Sequence, residues 1–249
     1  MWRWFRKLVL WPERFRRELC GKGMLPWVGR GRLLDVGCGH GVNAAMLAQQ
    51  GWDVAGIDLG PEIVKQARTL LGDRVREGDL LSVRYPDQSF DVVLMSHSLE
   101  HMYEPRKVLK EARRILDDRG LLVVAVPNAG GLEAKLFGRW WIHWDPPRHL
   151  HHYTKKTLGK LLEEAGFAPV RVRTGVTAVH WVSSLERACV YGLRRRLPVK
   201  HLIEKFIARP LCLVVGNMGY GTELIVHAVK RVERAADGAG MHAGVEAPS

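Results

Sequence analysis

The sequence predicts an α/β fold in which a largely parallel sheet carries helices on both faces. Three observations lead there. Short apolar runs alternate with helical patterns through the middle of the 249-residue chain, a glycine-rich turn (Gly37–Gly41) follows the first run, and acidic residues recur where later runs end, at Asp58 and Asp79. Alternation of this kind is the mark of parallel strands joined by crossover helices.

Taken in order, Arg32–Val36 (RLLDV) reads as the first strand, and a helix runs from the glycine turn to about Gln50. Asp53–Ile57 is the second strand. Pro61–Leu71 is a helix with proline in its first turn, where no N–H partner is lost. A short strand lies near Arg74–Glu77 and a stronger one at Phe90–Met95, followed by a helix over Pro105–Leu116. Gly120–Val126 (GLLVVAV) is a buried strand stopped by Pro127. Thr154 can cap a helix ending at Gly166. Ala168–Arg173 and Glu223–Lys230 return as strands.

Composition narrows the class. Hydrophobic residues make up 47% and charged residues 26%, as in ordinary globular proteins, which excludes wholesale disorder. No apolar stretch reaches the ~18 residues of a simple spanning helix. Cys20, Cys38, Cys189 and Cys212 form no CxxC pair, which argues against a zinc ribbon or disulfide scaffold and for a reducing, cytoplasmic setting.

The net charge of +12 is uneven: +7 in residues 1–32, −1 in 33–170, +8 in 171–234 and −2 in the tail. Residues 1–29 form a basic aromatic segment expected to be helical. It lacks a signal peptide's apolar core and cleavage site. Basic residues interleaved with tryptophans fit an anionic membrane surface, a reading that weighs equally with plain packing of an N-terminal helix on the core. Residues 235–249 are small and polar and are expected to be disordered.

Ligands of such sheets bind at the carboxyl ends of the strands, where the strand order switches. Glycines in the Gly37–Gly41 turn let backbone N–H groups approach a ligand. The spacing is G-x-G-x-G with Asp35 before it, and Val42 stands where a dinucleotide site wants its third glycine. Asp58 lies 21 residues after Gly37, placed to accept both hydroxyls of a ribose. Three acids at successive strand ends suit a pyrophosphate poorly and an adenosine bearing a positive group well.

These residues resemble the class I S-adenosylmethionine-dependent methyltransferases. The carriers are LLDVGCGHG (33–41), VAGIDLGPEIV (54–64), REGDLLSV (76–83) and the run from Phe90 to Asn128. The resemblance implies a Rossmann-like, seven-stranded sheet with an antiparallel last strand, occupying residues 30–234 with helical insertions at 128–153 and 175–221. It also implies S-adenosyl-L-methionine as cofactor. Asp35, Gly37, Gly39 and Gly41 would then meet its methionine part and Asp58 its ribose. Leu59 would pack on the adenine, Asp79 would bond the adenine amine with Leu80 alongside, and Ser96 and His97 would line the sulfonium side. Further resemblance, through LEHM and the Trp-rich PRHLHHYT insertion, is to ubiquinone-pathway and cell-envelope methyltransferases acting on small molecules.

His97–His101 spells H-x-x-E-H, an inverted zinc-protease motif, but it follows a buried strand instead of lying on a helix. Contact with cofactor or substrate is the preferred reading of Glu100 and His101, ahead of a divalent cation. No metal ligand is assigned. Trp140, Trp141 and Trp144 are expected to wall a substrate pocket that one of His149, His151 or His152 faces. His101 and His149 are the candidate bases, since imidazole titrates near neutral pH, and Glu100 completes the candidate catalytic set.

The expected function is methyl transfer to a small-molecule or lipid-linked acceptor, with oxygen as the preferred acceptor atom. The location would be cytoplasmic, and residues 1–20 and 175–217 offer a peripheral contact with the inner face of the membrane. Two alternatives are an RNA methyltransferase gripping phosphates with its basic flanks and a non-catalytic S-adenosylmethionine-binding module. Nucleic acid is not the expected partner, and the sequence leaves the oligomeric state open.

Overall fold

Continuous apolar runs become the central strands of one seven-stranded sheet in the computed structural model, which describes residues 25–175, 177–193 and 200–231. The strands are β1 (Arg32–Val36), β2 (Asp53–Asp58), β3 (Val75–Glu77), β4 (Phe90–Ser96), β5 (Leu116–Pro127), β6 (Phe167–Gly175) and β7 (Glu223–Lys230). Their order is β3-β2-β1-β4-β5-β7-β6. β1 pairs in parallel with both β2 and β4, so the chain order reverses between β1 and β4 and opens a crevice at their carboxyl ends. β7 runs antiparallel between β5 and β6.

Helices cover both faces. They are α1 (Val42–Gln49), α2 (Pro61–Leu71), α3 (Leu80–Val83), α4 (Pro105–Ile115), α5 (Leu132–Phe137), α6 (Lys155–Glu164) and α7 (Ala178–Arg187). One apolar layer joins α4 and α6 to the sheet through Leu109, Ile115, Leu158 and Leu162. The other packs Ala44, Leu47, Val64 and Ala67 of α1 and α2 against Leu33, Val54 and Val92. β5 begins four residues earlier than the apolar run suggests, because Leu116 already pairs with Phe90 before an irregularity in the ladder. Thr154 caps α6 in a reciprocal box with Thr157.

Two insertions build over the crevice. The first leaves β5 and returns to α6, its ends tied by a bridge between Asn128 and Tyr153. The second contains α7, which continues into a π-helical turn at Ala188–Gly192, and a helix from Lys200 to Asn217. That helix comprises α8 (Lys200–Ile203), a π-helical turn (Glu204–Ala208) and α9 (Arg209–Asn217). Trp181 and Val182 of α7 pack against Ala208, Cys212 and Val215. Among the described residues no helix is long and apolar enough to cross a membrane. The basic aromatic segment at 1–20 and the polar tail at 235–249 lie outside the described residues.

Candidate active site

The glycine turn folds as the backbone requires. Gly37, Gly39 and Gly41 hold φ of 76°, 55° and 76°, a region that side chains enter at a cost. A Cβ on Gly37 would sit 2.6 Å from that of Ser98, whereas one on Gly39 would meet nothing within 4 Å. Gly37 is therefore fixed by packing, and Gly39 borders open space. No side chain caps the N-terminus of α1 beyond this turn. Its first N–H groups and the open cradle fit a ligand that accepts hydrogen bonds.

Asp58 ends β2 beside this cradle. Its Oδ2 accepts the Gly39 N–H at 2.9 Å and its Oδ1 the Gly60 N–H at 3.1 Å. Each oxygen keeps lone-pair capacity for a further donor such as a ribose hydroxyl. Leu59 next to it is 70% exposed, an apolar face available to a ring. Asp79 caps α3 through Oδ1 and is exposed. Leu80 behaves differently from its neighbour: its side chain is 1% exposed and packs in the core. Asp35 lies buried beneath the turn, where burial and then the charge of Asp58 push its carboxyl up to about 7. Such a group is complementary to a positively charged ligand. Ser96, half-buried, and His97 close β4.

The three candidate catalytic residues converge on one cavity of about 450 Å³ beyond β4. The turn Leu99–His101 places Glu100 and His101, and the first insertion brings His149 to them. The backbone does the joining, because the Glu100 carbonyl accepts the N–H groups of Leu150 (2.8 Å) and His151 (3.1 Å). His101 Nδ1 lies 2.8 Å from the Arg148 carbonyl oxygen and His149 Nδ1 lies 2.7 Å from that of His143. A carbonyl oxygen only accepts, so both Nδ1 atoms carry the hydrogen, and in the neutral form of either ring Nε2 is the acceptor. The Glu100 side chain is buried, with neither oxygen hydrogen-bonded. Glu100, His101 and His149 can each offer one atom to a cation, all within 4.8 Å of one another.

His97 occupies the floor of this cavity in a left-handed conformation (φ 54°). Its Nε2 is 3.1 Å from Glu223 at the start of β7 and its Nδ1 is 3.5 Å from Glu100. Burial opposes its charge, but the neighbouring carboxylates of Glu100 and Glu223 win and raise the imidazolium to about 10. Burial likewise opposes the charge of Glu223, and His97 holds that carboxyl below its usual range. His143 and His180 touch at 3.0 Å, and burial, then each other's presence, pushes His143 down to about 3.

The His97–Glu223 pair has a pH signature. A folded pKa near 10 against 6.5 means that the His97 contribution is full below about pH 6.5 and lost as pH rises through 10. The depressed Glu223 contributes above about 4.5 and is lost as pH falls through its folded value. Breaking a buried pair costs about 3–5 kcal/mol, and water reaching the partly exposed imidazole reduces this to roughly 1–2 kcal/mol. At pH 6, His97→Gln should lower the melting temperature by about 2–8 °C, with the difference narrowing toward pH 10. A difference that does not vary with pH would refute the charged pair.

Sequence reasoning missed Glu223, His143, His180 and Arg187, which also line the cavity. No local motif marks them, because β7 and the second insertion reach the site only through the strand order, and His143 enters it through the fold of the first insertion. Among the expected aromatic walls, Trp141 is fully buried. Trp140 and Trp144 instead line a second cavity of about 810 Å³ with Tyr191, which shares Arg187 with the first. His152 bonds the Trp144 carbonyl and His151 stacks on Tyr153, so neither borders the main cavity.

Residues 10–172 match the family described as a methyltransferase domain. The chain is 38% identical over 124 residues to the 27-O-demethylrifamycin SV methyltransferase of Amycolatopsis mediterranei, covering 45% of this chain and 46% of that protein. To the ubiquinone biosynthesis O-methyltransferase of Cereibacter sphaeroides it is 31% identical over 167 residues, 63% and 66% of the two chains. It thus spans about half to two thirds of the length of the curated relatives it matches. Two solved structures share the fold: a SAM-dependent methyltransferase of Thermotoga maritima (TM-score 0.61, 22% identity, 92% and 95% coverage), and a [4+2]-cyclase (TM-score 0.59, 23% identity, 88% and 81% coverage). The match over most of the chain, together with the glycine cradle and the acids around it, places this protein in the methyltransferase-domain family.

Proposed function

We propose that the protein methylates an oxygen of a small-molecule or lipid-linked acceptor seated in the histidine-lined cavity, with His149 taking the acceptor's proton. The observation that carries this reading is the place of His149 in the cavity wall, with its Nδ1–H bonded to the His143 carbonyl so that Nε2 is the ring's acceptor. S-adenosylmethionine supplies a methyl group that is already activated, so the chain's own residues have three tasks: align the acceptor, exclude water and receive one proton. Alignment is worth roughly 7–11 kcal/mol of barrier. Asp145 Oδ2 lies 3.9 Å from His149 Nε2 and would stabilise the imidazolium formed there. His101, more exposed, stands beside it with ring centres 4.8 Å apart. The similarity to the 27-O-demethylrifamycin SV methyltransferase and the ubiquinone biosynthesis O-methyltransferase supports oxygen as the acceptor atom.

The test is transfer of radiolabelled methyl from S-adenosylmethionine into separate lipid, aqueous small-molecule and RNA fractions of a cell extract. Label is expected in an ether or ester product of the lipid or small-molecule fraction. Label in RNA alone, or in nothing while S-adenosylhomocysteine binds, would remove this reading.

The buried Glu100 carboxylate, which accepts no hydrogen bond, favours a second reading, in which Glu100, His101 and His149 hold a divalent cation that polarises the acceptor oxygen. Turnover abolished by a chelator and restored by a divalent ion would select it. Turnover indifferent to the chelator selects the base.

A further inference from the structure

The helix from Lys200 to Asn217 is apolar on two sides, and only one is covered by the described residues. Ile203, Ala208, Cys212 and Val215 pack inward on Trp181, Val182 and Phe137. The π turn at Glu204–Ala208 adds a residue to the first interval, which keeps these four on the same side. Leu202, Phe206, Ile207, Leu211, Val214 and Met218 stand outward, each between 41% and 65% exposed. A helix with apolar residues all round is normally buried all round, and a contiguous exposed patch of this kind marks an interaction site.

Charge identifies the occupant. Between Arg187 and Arg209 the chain carries seven Lys/Arg and a single acid, Glu204. That acid is paired with Arg209 at 2.9 Å. Lys205 lies over the Phe206 ring at 5.3 Å, a cation on the edge of the apolar face. A face of bulky apolar side chains with Lys205 at its edge, in a segment of basic sequence whose one acid is paired, matches an interfacial helix, with side chains in the acyl boundary and cations at the phosphates.

We propose that this outward face docks the protein on an anionic lipid bilayer surface. The proposal does not depend on the reading of the acceptor, although a membrane site would suit a lipid-linked one. Tyr191, 70% exposed, belongs to the same insertion and stacks on Trp140 in the second cavity. Arg187 then connects that cavity to the one lined by histidines.

Flotation of the full chain with phosphatidylcholine vesicles, alone or with 30% phosphatidylglycerol, tests this. Binding is expected only to the anionic vesicles and should weaken as salt rises. The double substitution Phe206→Asp and Val214→Asp, at exposed positions, should abolish it with S-adenosylhomocysteine affinity and melting temperature kept. Lys205→Glu, which leaves the apolar face intact, should weaken binding about tenfold and decides the matter if the double variant misfolds. The proposal is overturned by wild-type protein that ignores anionic vesicles, or by variants that bind as wild type does. It is equally overturned if sedimentation shows a dimer that the double substitution dissolves without any vesicle binding, since a second copy would then cover the face.

Discussion

Replacing Asp58 by alanine should lower the affinity for S-adenosylhomocysteine by about 10²–10⁴-fold, measured by calorimetry on folded protein. Hydrogen bonds to a charged group contribute about 1.5–3 kcal/mol each, and two of them to the ribose convert to that range. The structure gives a second reason for a large effect. The same carboxylate accepts the N–H of Gly39 and of Gly60, so its loss also releases the glycine cradle that the methionine part would occupy. Asp58→Asn separates the two roles. An amide keeps the shape and one acceptor oxygen, but its NH₂ cannot accept a backbone N–H. Its affinity should therefore fall between wild type and Asp58→Ala. Unchanged affinity in a folded Asp58→Ala protein would show that the ribose lies elsewhere.

Substitution of His149 by asparagine should lower turnover by about 10²–10⁴-fold, the range of a positioned proton acceptor. Asparagine places an N–H donor near the site of Nδ1, so the bond to the His143 carbonyl can survive while Nε2 is removed. Affinity for S-adenosylhomocysteine should stay within a factor of about two, because no residue of the glycine cradle is touched. His101→Asn, which also preserves its bond to the Arg148 carbonyl, should cost less than His149→Asn. The burial and the neighbouring Asp145 of His149 are the reasons for that order. An equal loss at both positions, restored by a divalent ion, would transfer the role to a bound cation. No loss at His149 would dismiss it as the base.

The sequence shows where several candidate residues lie at strand ends. Gly37, Gly39, Gly41 and Asp58 meet around one cradle because they belong to adjacent strand ends, and strand ends can be read from local apolar runs and turn residues. Glu100 and His101 were legible for the same reason, lying directly after β4. Leu80 was not: the α3 cap at Asp79 turns the next side chain into the core, and a single residue's direction depends on packing. Trp141 was misjudged in the same way, since an aromatic run does not reveal which of its members faces inward.

Sequence by itself determined the order of strands and helices, the glycine cradle with its acids, and the basic character of the flanks. These follow from periodicity, turn chemistry and charge, all of which are local. Tertiary structure decided the rest. It tied the segment after His149 to Glu100 through the N–H groups of Leu150 and His151, set Glu223 against His97 across 126 positions of chain, and joined two insertions at Arg187. It also left the outer face of the Lys200–Asn217 helix uncovered by the described residues. Contacts between distant segments depend on strand order and on which helical face is buried, and no neighbouring residues encode either one.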